Sequence, residues 1–311
     1  GAPPMSNRAS FADWLRLLRP AQWSKNGIVL AAFFFARWDP GQREHVLGTA
    51  PLVMVLLGAV DFCLLASSVY ILNDVVDRRA DALHPEKRGR PVAAGRIAPS
   101  AAVVAAGLLA AVSLAGAWLL APRFGALALG YFVLQVVYSG LLKRVAILDV
   151  FVIAMGFVLR AIAGAAVIDV RISPWLLLCT FLLALFLALC KRRHEKQLLG
   201  AEEAGHRRAL ADYTLVLLDQ MIAVVAAATV MAYALYTLSA ETAARFGTHG
   251  LGFTIPFVLF GIFRYLELVY AGNRGGRPEQ ILLTDRVLIV TILLYGLATL
   301  GVFLVARHGF L

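Results

Sequence analysis

The chain has 311 residues, of which 60% are hydrophobic, with a mean hydropathy of +0.78 and a formal net charge of +10. Soluble domains are about 45–50% apolar, so this composition excludes a soluble enzyme and predicts an all-α polytopic membrane protein, a single integral-membrane domain over 1–311. The positive charge is not read as a nucleic-acid surface, because the cations sit in short loops between apolar runs, where membrane topology places them.

In chain order, Gly1 to Met5 reads as an expression scar ahead of a native start. No cleavable signal peptide is expected, since the first apolar run begins after Lys25. Phe11 to Arg19 predicts an amphipathic helix lying at the interface. Nine spans follow, at roughly 26–40, 51–76, 99–120, 124–141, 146–168, 174–191, 214–240, 251–271 and 286–306. Loops are expected at about 77–98, 142–145, 192–213 and 272–285 on one side. Cys63, Cys179 and Cys190 lie in apolar runs and read as small buried hydrophobes, with neither disulfide nor zinc spacing.

Lys and Arg set the orientation. Arg8, Arg16, Arg19 and Lys25 precede the first span. Arg78, Arg79, Lys87, Arg88, Arg90 and Arg96 fill the second loop, and Lys143 and Arg144 the fourth. Lys191, Arg192, Arg193, Lys196, Arg207 and Arg208 fill the sixth, and Arg264, Arg274, Arg277 and Arg286 flank the eighth. The opposite side holds only Arg37, Arg43, Arg123, Arg171, Arg245 and Arg307. The N-terminus and the dense loops are therefore expected in the cytoplasm and the C-terminus outside, in a plasma membrane.

The end of the second span carries Tyr70, Asn73, Asp74, Asp77 and Asp81. At helical spacing these form one stripe that emerges from the bilayer into water. Hard oxygen ligands with cations close behind point to a magnesium ion, Mg2+, holding a diphosphate; a merely solvated helix end is the bland alternative. His84-Pro85-Glu86-Lys87-Arg88-Gly89-Arg90-Pro91 follows, a loop fixed by proline and glycine that brings three cations beside the acids.

The stripe Asn73-Asp74-x-x-Asp77-x-x-x-Asp81 resembles the signature of the UbiA superfamily of intramembrane prenyltransferases. That resemblance implies nine helices around a central cavity open to the cytoplasm, with Mg2+ bridging a diphosphate to the acids. Further pieces resemble the phosphoribosyltransferase branch of the superfamily. They are Arg19-Pro20-x-Gln22-Trp23-x-Lys25-Asn26, Leu159-Arg160-Ala161-Ile162-Ala163-Gly164, Lys191-Arg192-x-x-Glu195, and Pro278-Glu279 with Asp285-Arg286. Aromatic prenyltransferases carry a second aspartate-rich motif in the sixth loop. Here that loop is cationic at Lys191 to Lys196, and Glu195, Glu202, Glu203 and Asp212 lack the expected spacing. This suits two anionic substrates.

The implied reaction moves phosphoribosyl from phosphoribosyl diphosphate to a polyprenyl phosphate such as decaprenyl phosphate, in cell-wall precursor synthesis. Asn73 and Asp77 are expected as direct metal ligands, with Asp74 and Asp81 direct or through water. Lys25, Tyr70, Lys87, Arg88 and Arg90 are expected on the donor's diphosphate and 5-phosphate, with Asn73, Asp77 and Lys87 nearest the chemistry. Lys143, Arg160, Lys191 and Arg192 are expected on the remaining phosphates, the lipid's included. Arg160 lies deep in its span and reads either as an anion ligand or as the ion-pair partner of Asp61. Asp149 reads as an acid at a helix N-terminus, Asp212, Tyr213 and Asp219 as supporting residues, and His194 and His206 as solvent-side histidines. Gly156, Ala161 and Gly164 permit close helix packing, within the chain or between copies of a homo-oligomer. The alternatives are a prenyltransferase with an aromatic acceptor and a lipid transporter without chemistry.

Overall fold

The computed structural model describes residues 9–83, 87–199, 208–271 and 278–307. Gly1 to Met5, Arg8, His84 to Glu86, Glu202, Glu203, His206, Arg207, Arg274 and Arg277 lie outside them. Every regular element among the described residues is helical. Besides short 3-10 turns at Arg43–Val46, Leu142–Arg144 and Gly250–Thr254, they are in order α1 (Phe11–Leu18), a 3-10 run (Pro20–Leu30), α2 (Ala31–Trp38), α3 (Ala50–Leu83), α4 (Pro99–Leu120), α5 (Pro122–Gly140), α6 (Leu148–Val167) and α7 (Pro174–Leu199). There follow α8 (Arg208–Ala211), α9 (Leu215–Leu238), α10 (Ala240–Phe246), α11 (Ile255–Tyr270), α12 (Pro278–Thr284) and α13 (Arg286–Arg307).

Among the described residues, 7 helices are long and apolar enough to cross a membrane: α3, α4, α6, α7, α9, α11 with the turn before it, and α13. The other two expected spans fall on α5 and on the 3-10 run with α2. Helix α5 dilutes its apolar residues with Arg123, Gln135 and Tyr138. Helix α6 is the hub: 61% of its span is buried, against 22% for α4 and for α13, which give most of their surface to lipid. One core packs α6 on α7, α9 and α11 through Val150, Phe186, Leu218 and Tyr265. A second packs α6 on α3 and α5 through Phe62, Phe124, Tyr131 and Val167.

Local sequence sets most boundaries. Ser10 and Asp13 cap α1 reciprocally, and proline begins α4, α5 and α7. Two helices outrun their expected spans: α3 continues to Leu83 and α7 to Leu199. Loss of hydropathy marks where a chain leaves the membrane, not where its hydrogen-bond ladder stops. Arg, Ala and Leu carry α3 on, and Arg, Lys, Glu and Gln carry α7 on, all good helix formers.

The first span departs further. Its leading part is a 3-10 run of 11 residues, far longer than the three or four residues usual for that form. Three residues per turn stack every third side chain. Ala21, Ser24 and Gly27 form an exposed row, Gln22, Lys25 and Ile28 a half-buried row, and Trp23, Asn26 and Val29 the inner row. Gly164 on α6 makes room for this inner row, because a Cβ there would lie 2.0 Å from the Val29 carbonyl oxygen. Gly164 thus serves packing inside the chain.

Candidate active site

The end of α3 projects Asn73, Asp77, Asp81 and Asp74 across an arc of about 100°, in that angular order. The single expected stripe therefore has two edges, and each edge takes its own cation. On one edge Lys143 donates to Asn73 Oδ1 at 3.2 Å and ion-pairs with Asp77. Lys143 is only 5% exposed and comes from a single 3-10 turn, Leu142–Arg144, between α5 and α6. On the other edge Arg90 bridges Asp74 and Asp81, at 3.0 and 2.6 Å.

Arg90 is delivered by a loop that is itself tied down. Arg96 donates to Asp13 Oδ1 of α1 at 2.8 Å and to the Gly89 carbonyl at 2.7 Å. Hydrogen bonds from Ser10, with the Arg96 guanidinium beside them, hold the Asp13 carboxyl below its ordinary range. Arg19, in the left-handed region at φ 53°, ends α1, ion-pairs with Asp74 and stands 5.3 Å over the Tyr70 ring. Lys87 and Lys191 are half-buried and Arg88 is exposed.

Arg192 sits elsewhere than in this lattice. It is buried in an ion pair with Asp149 at 2.8 Å and in a second with Glu195. Tyr213 donates to Asp149 Oδ1 at 2.7 Å and accepts from the Ile147 amide at 2.6 Å. This network fastens the end of α7 to the start of α6. Beside it Arg193 pairs with Asp219 at 2.7 Å and lies 4.1 Å over the Tyr270 ring. Asp285 caps α13 through the Leu288 amide and binds Arg264 at 2.8 Å.

The Asp61–Arg160 ion pair, one of the two readings of Arg160, does not form. Asp61 Oδ1 accepts from Ser113 at 3.2 Å, and its Oδ2 has no hydrogen-bond partner among the described residues. Arg160 instead donates to Asn26 Oδ1 at 2.7 Å, the Gly156 carbonyl at 3.0 Å and the Tyr131 hydroxyl at 2.6 Å. The two residues lie on different helices, and each finds a nearer neutral partner; Ser113 on α4 reaches Asp61, and the 3-10 run reaches Arg160.

The donor set fits a hard divalent cation in one respect. Asn73 Oδ1 and Asp77 Oδ1, from successive turns, converge on one point where the Lys143 ammonium stands as a cation. Among the described residues no three acid, histidine or cysteine side chains converge. A metal held here would draw its remaining ligands from water and phosphate, as Mg2+ usually does.

Sequence reasoning overlooked Arg19, Arg96 and Tyr131 as site-building residues. Arg19 had a signal, the Arg-Pro junction between two helical patterns. Tyr131 had none, since a lone tyrosine inside a span reads as core.

A model of the UbiA prenyltransferase family matches residues 28–278. A decaprenyl-phosphate phosphoribosyltransferase of Mycolicibacterium smegmatis is 36% identical over 92% of this chain and 91% of its own length. A decaprenyl-phosphate phosphoribosyltransferase of Corynebacterium glutamicum is 36% identical over 90% of this chain and 83% of its own. The solved structure of a UbiA homologue from Archaeoglobus fulgidus, bound to GPP and Mg2+, has the same fold. Its TM-score is 0.66 at 18% identity, covering 96% of this chain and 99% of that one.

Proposed function

The chain belongs to the UbiA prenyltransferase family, and we propose that it transfers 5-phosphoribosyl from phosphoribosyl diphosphate to a polyprenyl phosphate, releasing diphosphate. The observation that carries this is the 36% identity, along nearly the whole chain, to enzymes named decaprenyl-phosphate phosphoribosyltransferase. Decaprenyl phosphate is accordingly the proposed acceptor.

The geometry supports the reading through its charge balance. Lys143, Arg90 and Arg19 each hold a site acid. Two anionic substrates and a metal would exchange these pairs, with cations turning to phosphates and acids to Mg2+. Asn73 and Asp77 would hold the ion directly, with Asp74 and Asp81 beside them, and its charge would neutralise the departing diphosphate. A phosphate oxygen of the lipid attacks ribose C1 as the C1–O bond to diphosphate breaks. The attacking phosphate is already ionised, so no strong general base is needed. Lys87, Arg88 and Arg90 stand at the outer end, Tyr70 and Arg19 one turn deeper. Lys25 is deeper again, since its neighbours Trp23 and Asn26 meet Ser67 and Cys63. That spread suits a sugar carrying phosphate at both ends. Lys143 and Lys191 remain for the lipid phosphate.

The chain is one domain in this reading. The Lys and Arg bias supports a site on the cytoplasmic face of the plasma membrane, with the C-terminus outside. The test is incubation of purified protein with radiolabelled phosphoribosyl diphosphate, polyprenyl phosphate and Mg2+. Label entering the organic phase is expected. Label remaining aqueous while a prenylated phenol forms from prenyl diphosphate would replace this reading with the aromatic-acceptor one.

A further inference from the structure

Arg160 is 4% exposed, and its partners Asn26 and Tyr131 are 1% exposed each. Among the described residues it meets no carboxylate. Its planar fork instead spans three elements, donating to the 3-10 run, to α5 and to its own helix. Asn26 also donates to Cys63 Sγ at 3.3 Å, which fixes its level on α3. Cys63 lies ten residues below Asn73, about 15 Å at 1.5 Å per residue. Lys25, beside Asn26, is half-buried at a similar depth, whereas Arg160 is enclosed and its donors are taken up by protein acceptors, so it is badly placed to touch the substrate phosphates.

It is well placed to govern the 3-10 run. Hydrogen bonds of that form are poorly aligned, and long runs do not hold their own register. An α-helix over the same residues would turn each third side chain by about 60°, rotating Lys25 out of its row. Three contacts hold the inner row at the 3-10 repeat. Trp23 Nε1 donates to Ser67 at 3.0 Å, Asn26 accepts from Arg160 at 2.7 Å, and Val29 lies against Gly164. Of these, the Asn26 contact adjoins Lys25 in sequence.

We propose that Arg160 is a positioning residue: by holding Asn26 it fixes the register of Pro20–Leu30 and so presents Lys25 to the phosphate-bearing donor. This rests on the reading of Lys25 as a donor-binding residue.

The experiment is a double-mutant cycle on phosphoribosyl diphosphate affinity, measured by titration calorimetry of detergent-purified protein in Mg2+, with KM for both substrates alongside. Arg160→Gln is expected to weaken donor binding about tenfold and to leave KM for polyprenyl phosphate within twofold. Lys25→Ala should weaken the donor similarly, and the double variant no more than Lys25→Ala alone. If Arg160→Gln does not fold, Asn26→Leu cuts the same bond from the other side and should behave as it would have done. Asn26→Asp, which keeps an acceptor for Arg160, should bind the donor within twofold of wild type. Additive losses, or a raised KM for the lipid alone, would overturn the proposal while leaving the function intact. A wild-type protein that binds no phosphoribosyl diphosphate would overturn both.

Discussion

At the end of α3, Asn73, Asp74, Asp77 and Asp81 share Lys143, Arg90 and Arg19. Ten and more residues deeper, among the described residues, Arg160 meets only neutral groups and Asp61 only a serine. The outer charges are paired across elements, several are partly open to solvent, and each acid's partner is an ammonium or guanidinium. Such pairs can exchange for a metal and a phosphate at little net electrostatic cost. The inner groups have no counter-charge to exchange. Desolvating a charge is expensive, and the deep region offsets this with fixed dipoles: a carbonyl, an amide, a hydroxyl and a ring face. The first arrangement suits ligands that come and go, the second suits a joint between elements.

Asp77→Asn should have the largest effect. It removes the carboxylate that converges with Asn73, and phosphoribosyl transfer should fall by about 100-fold or more. Full turnover at limiting Mg2+ would erase the distinction between the two regions. Arg160→Met comes next and should cost stability: three hydrogen bonds to the guanidinium are lost, and release of the desolvation cost of its buried charge leaves a loss of about 2–4 kcal/mol. Thermal unfolding in detergent reads this, and an unshifted midpoint would mean that Arg160 joins nothing. Gly164→Ala forces a methyl into the Val29 backbone. A loss of about 1–3 kcal/mol is expected, as for other overpacked sites. Asp61→Asn should be near neutral or stabilising by up to about 1 kcal/mol, because it keeps the Ser113 hydrogen bond and removes a charged oxygen that has no partner among the described residues. A large destabilisation there would show that Asp61 has a counter-ion after all.

The same contrast explains what could be read from the chain beforehand. Hydropathy gave the seven helices that meet the length and composition of a span, because lipid demands apolar surface wherever it is touched. The acid stripe was legible because helical spacing is fixed. Its division between Lys143 and Arg90 was not, since that depends on which loops return to α3. The 3-10 run was hidden for a related reason. Repeats of 3.0 and 3.6 part by about 20° per residue, but eleven residues of mixed polarity carry no apolar stripe that shows which is used, and the choice is made by Ser67, Arg160 and Gly164 on other elements. Arg160 itself was visible as a deep cation, but its two side-chain acceptors are 134 and 29 residues away.

The smallest predicted effect probes how firmly the outer lattice is mounted. Asp13 holds Arg96, and Arg96 holds the loop that delivers Arg90. The Asp13 carboxyl lies below its ordinary value of 3.8, first because of the Ser10 hydrogen bond and further because of Arg96. A depressed acid contributes stability that is complete above its unfolded value and is lost as pH falls through the folded one. Wild type and Asp13→Asn should therefore differ by a constant margin in unfolding midpoint from about pH 7 to 5, and the margin should close only below about pH 4. Donor affinity should follow the same curve faintly, because Arg90 is reached through two links. A margin that closes above pH 5 would place the titrating group elsewhere. One that persists at the acid limit would mean that Asp13 acts by shape alone, and that the outer charges rest on a mount as charge-independent as the inner joint.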